Sequence, residues 1–144
     1  MRTLFSFVLC ALLAMTCWAE TTPAITNKDM LQAAIRQVTQ LKITKQTDSL
    51  FYSPTTGIED CCSWSALECF NSQLLNIPTS NKDLQAKLHK NLRKKVIVSS
   101  VDRCTVEQKS KVKCQSCNSY PMIDSHEFMK NLLSLLQKSF MQLP

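Results

Sequence analysis

The stretch Cys61-Cys62-Ser63-Trp64-Ser65-Ala66-Leu67-Glu68-Cys69 carries three cysteines, and a second cluster, Cys114-Gln115-Ser116-Cys117, follows far downstream with Cys104 between them. These six sulfurs allow fifteen pairings. If residues 62–69 are helical, Cys62 and Cys69 share nearly one face but stand about 10 Å apart along the axis, beyond the roughly 7 Å reach of a disulfide. Each must therefore pair elsewhere. Cys114 and Cys117 offer two sulfurs to meet them, tying this helix twice to a later connection, and elimination leaves Cys61 and Cys104 for a third bridge. Closing a loop of about 50 residues is worth roughly 4 kcal/mol in the chain-entropy model, less where loops overlap. A zinc site is the weaker reading, because only one CxxC is present and the other spacing is CxxxxxxC.

The N-terminus explains why disulfides are expected. Arg2 precedes an apolar run from Leu4 to Ala14, and Cys17-Trp18-Ala19 places small residues where a signal peptidase reads. The expected cut follows Ala19, so residues 1–19 are a signal peptide and residues 20–144 the mature, extracellular domain. The run is shorter than the roughly 20 apolar residues that span a bilayer. Losing Arg2 takes the formal charge from +6 to +5. A basic secreted protein favours acidic partners, either a receptor face or a sulfated polysaccharide such as heparan sulfate.

Gly57 is the only glycine, which argues against a turn-rich β fold. Four amphipathic segments appear instead. Leu31, Ile35, Val38 and Leu41 mark a first helix near 27–46, with Asn27 as its cap. Trp64 to Ile77 forms a second, stopped by Pro78. A third starts at Ser80 or Asn81 and runs to about 95, with Leu84, Leu88 and Leu92 on one face and lysines around the rest. The fourth opens at Asp124 or Ser125 and carries the widest apolar stripe, through Phe128, Leu132, Leu136 and Phe140. Long connections separate the first pair and the last pair, as in an all-α bundle of up-up-down-down order, since antiparallel neighbours need only short loops. Within the second connection the β-branched run Val96 to Val101 is expected to form a short strand, pairing with part of the first connection.

The string Cys62-Ser-Trp64-Ser-Ala-Leu-Glu-Cys69-Phe70, then Cys114-Gln-Ser-Cys117-Asn-Ser-Tyr120, then Glu127-Phe128 with Ser134-Leu-Leu-Gln137-Lys138, resembles the short-chain four-helix cytokines of the interleukin-2, interleukin-15 and interleukin-21 group. The matching blocks cover roughly a third of the mature chain. The resemblance implies pairing of Cys62 with Cys114 and of Cys69 with Cys117; Cys61 and Cys104 depart from the family pattern. It also implies a mechanism without catalysis. Such a cytokine bridges a private type I receptor, here of the interleukin-21 receptor kind, and the common gamma chain, whose kinases activate STAT factors in lymphocytes.

Residue roles follow from the same resemblance. Lys90, Arg93, Lys94 and Lys95 match the family's basic stretch facing the private receptor, joined by Gln32 and Arg36 of the first helix. Arg36 and Thr39 stand where the family carries acidic residues. Gln137 aligns with the glutamine shown to the common gamma chain, and Phe140 falls at an apolar contact that could equally be core. No cofactor is implied, and an enzyme is not expected. His89 and His126 lie near no plausible nucleophile or carboxylate pair, and one glycine cannot build a phosphate loop. The rival reading is a secreted cationic helical protein acting on membranes or heparin-like polysaccharide, because the third segment is basic with an apolar stripe.

Overall fold

A computed structural model describes residues 26–44, 49–55 and 57–144. The signal peptide expected over residues 1–19 lies outside them. The described residues are mostly helical, with six α-helices and one two-stranded ribbon. Helix α1 spans Asn27–Gln40, α2 Ser63–Gln73, α3 Lys82–Asn91, α4 Lys95–Val101, α5 Val106–Ser110 and α6 Ser125–Met141.

Capping chemistry places the starts. Thr26, one residue before the expected Asn27, caps α1 by accepting from the Asp29 N–H, while the Asp29 carboxylate accepts from the Thr26 N–H in return. Asn81 and Asp124 cap α3 and α6. The ends differ from expectation. Helix α1 stops at Gln40 instead of running to about 46, because Leu41 turns extended and Ile43 bridges to Thr79. The Thr44 N–H then donates to the Pro78 carbonyl at 2.9 Å. The second helix breaks into a 3-10 turn at Leu74–Asn76 before Pro78. Buried Gln85 caps that end, its Nε2 donating to the carbonyls of Leu74 and Ile77 at 2.8 Å each. The third helix ends at Asn91, short of residue 95.

The expected strand at Val96 to Val101 is wrong: these residues belong to helix α4. Ile97, Ser100 and Val101, at i, i+3 and i+4, are buried while Ser99 is exposed, the pattern of a helix and not of a strand, in which 97, 99 and 101 would share one face. Helix α4 packs against α1, α2 and α6, so tertiary burial overrides β-branched propensity. The ribbon that does form joins the two long connections. Strand β1, Phe51–Tyr52, pairs antiparallel with β2, Met122–Ile123, in register Phe51 to Ile123 and Tyr52 to Met122.

One hydrophobic cluster draws on α1, α2, α3, α4, α6 and β1. Its centre is Phe128, edge-on to Phe70 at 5.2 Å and tilted against Phe51 at 5.4 Å. Phe51 thus anchors the first connection on the core. Gln73 fixes the same connection, accepting from the Tyr52 N–H and donating to the Tyr52 carbonyl at 2.8 and 2.7 Å. Three disulfides close the rest: Cys61 to Cys104, Cys62 to Cys114 and Cys69 to Cys117, with Cα separations of 5.2 to 5.5 Å.

Candidate functional site

The basic run follows from where α3 stops. Leu88 and Leu92 are fully buried, so Lys87, Lys90 and Lys94 fall on the outward side. Lys90, Arg93, Lys94 and Lys95 are all exposed, and none forms an ion pair among the described residues. Lys94 and Lys95 stand at the start of α4, where the helix dipole disfavours cations, and Lys94 makes no side-chain cap. Local stability therefore does not account for their charge.

Gln32 and Arg36 are exposed on α1, one turn apart. The neighbouring Gln37 accepts from Asn91 Nδ2 at 2.8 Å, which joins α1 to the end of α3 directly beside Lys90. Arg93 departs from this face. It lines an open trough of about 500 Å³ with Ser65, Glu68, Asn71, Ser72 and His89, on the α2 side. The basic run therefore wraps around the end of α3, with Asn91 turned to α1 and Arg93 to α2.

Gln137 and Phe140 lie at the seam between α1 and α6, the most extensive helix pairing in the fold. Gln137 is exposed. Phe140 is half-buried against the core, with Lys28 Nζ 5.8 Å from its ring centroid. Phe140 therefore belongs partly to the core and partly to the surface. Leu133, four residues before Gln137, is also half-buried and shares its side of the helix. The sequence reading missed Leu133 and Lys28; Leu133 was legible as part of the apolar stripe, whereas Lys28 needed the packing of α1 on α6. Next to Gln137, Lys138 pairs with Asp60 at 3.0 Å, and its hydrogen bond and charge hold the Asp60 carboxyl below the usual range.

Two features outside these faces complete the surface. Asn71 is 7% exposed, and its Oδ1 accepts no hydrogen bond. Lys109 reaches back to Asp102 at 2.7 Å and lies 5.6 Å from the Trp64 ring centroid, holding α5 against α2. His126 is exposed beside the start of α6. Among the described residues no group of His, Cys, Asp and Glu side chains could hold a metal, and no helix is long and apolar enough to cross a membrane. No protein-family model matches the chain.

Proposed function

We propose that this chain is a secreted short-chain cytokine, similar to interleukin-21, with its four longer helices in up-up-down-down order. It acts by binding and not by catalysis, joining a private type I receptor to the common gamma chain on lymphocytes. The observation that carries the reading is the β1–β2 ribbon. The antiparallel pairing of the α1–α2 and α5–α6 connections supports the up-up-down-down order, because long connections that meet on one side of a bundle are what parallel neighbours require. The Cys62–Cys114 and Cys69–Cys117 bridges then tie α2 to the second connection.

In this reading Lys90, Lys94 and Lys95, with Gln32 and Arg36, meet an acidic private receptor. Exposed charges of this kind mainly speed encounter and are weakened by salt. Gln137 meets the common gamma chain as an exposed polar side chain beside the partly exposed apolar side chains of Leu133 and Phe140. The two surfaces use different helices, so they separate by mutation. Purified protein should bind both receptor ectodomains, and Gln137→Asp should keep private-receptor binding while losing STAT phosphorylation. A folded Gln137→Asp variant that signals at wild-type concentrations would overturn the assignment.

A further inference from the structure

We infer that the outward face of α3 and the turn after it form a binding site for a sulfated polysaccharide. Lys87 and Lys90 lie on the face of α3 opposite the buried Gln85 and Leu88, with Lys82 at the start of the helix and Arg93, Lys94 and Lys95 in the turn that leads into α4. All six are exposed, and none is engaged by a carboxylate among the described residues. Asp83 is the one acidic side chain on α3. The helix face and the turn together present a band of cations without ion-pair partners among the described residues, which suits a chain polyanion better than a point ligand.

Burial separates this partner from a membrane. A cationic helix binds a bilayer by inserting an apolar face, and the apolar face of α3 is already spent on the core, with Leu88 at 0% and Leu92 at 1% exposure. What remains outside is charge, Ala86 and the half-buried Leu84, His89 and Asn91. Nor does this face carry an exposed Phe, Tyr or Trp on which nucleic-acid bases could stack, and His89 is half-buried. Sulfate groups need no such platform. The band reaches Lys82 and Lys87, beyond the residues assigned to the private receptor, so polysaccharide binding stands without that assignment. If the receptor reading also holds, a bound chain masks Lys90 to Lys95 and the two partners exclude each other.

The test uses purified mature protein alone, with heparin oligosaccharides as the probe. Lys87→Gln/Lys90→Gln/Lys94→Gln should weaken binding at least tenfold at about 0.15 M salt and flatten the salt dependence, since each lost contact releases fewer counterions. Lys111→Gln/Lys113→Gln/Lys130→Gln removes the same charge from other exposed positions and should change binding by less than about twofold. Equal losses in the two triples would overturn the site, because net charge alone would then explain retention. So would undiminished binding to fully desulfated heparin, or tighter binding to phosphatidylserine vesicles than to heparin.

Discussion

Removing the Cys61–Cys104 bridge tests the account of how this fold is held. Taken alone, its sequence separation of 43 gives about 4 kcal/mol of loop-closure stabilisation. The Cys62–Cys114 bridge shortens that loop, because the unfolded chain can already pass from Cys104 through ten residues to Cys114, across to Cys62 and one step back to Cys61. A ring of about eleven residues is worth only about 3 kcal/mol. For a domain of about 120 residues this corresponds to roughly 10 °C in Tm. Cys61→Ser/Cys104→Ser should therefore melt about 10 °C below the wild type by circular dichroism. In a background lacking Cys62–Cys114 the ring closes instead through Cys69–Cys117 and the same change should cost about 3.3 kcal/mol, approaching about 4 kcal/mol only when both other bridges are absent, so the bridges are not additive. The loss should also be local. Helix α5 buries no residue and is otherwise held by Lys109 to Asp102 and to Trp64, so hydrogen exchange over 105–113 should lose protection while α6 keeps it. A Tm within about 2 °C of the wild type, or unchanged protection in α5, would refute this reasoning.

Lys94 occupies an extended N-cap geometry without a cap bond, so Lys94→Asp should raise stability by about 1 kcal/mol, read as a higher Tm, while slowing private-receptor association. A lower Tm would refute the assignment of Lys94 as the N-cap of α4. Asn71→Leu removes a buried acceptor that has no partner and should hold or raise Tm; a loss above about 2 kcal/mol would show that the carbonyl is bonded in solution. The Asp60 carboxyl is held below its ordinary value of 3.8, so its contribution is present above that pH and fades as pH falls through the lowered value. Denaturation curves of Asp60→Asn and wild type should therefore converge below about pH 4, and a gap that widens there would contradict the Lys138 pairing.

The starts of three helices were legible because capping and amphipathic periodicity act within a few residues: Asn81 and Asp124 sit where a donor-seeking turn needs them, and Thr26 missed the expected position by one. The helical class was legible from a single glycine, and the exposure of Lys87 and Lys90 from their positions opposite Leu88 and Gln85. Local pattern failed where a distant surface decided. Val96 to Val101 has strand composition, yet it packs as a helix on α1, α2 and α6 and buries Ile97, Ser100 and Val101 there. Likewise Ile43 leaves α1 because Thr79 waits across the chain, and Phe51 and Tyr52 pair with a ribbon partner some seventy residues away. The turn of Arg93 toward α2, away from Gln32 and Arg36, belongs to the same class. Periodicity and caps are properties of neighbouring residues and can be read in line. Which surfaces meet depends on burying all the apolar faces at once, and that is settled only when the whole chain is packed.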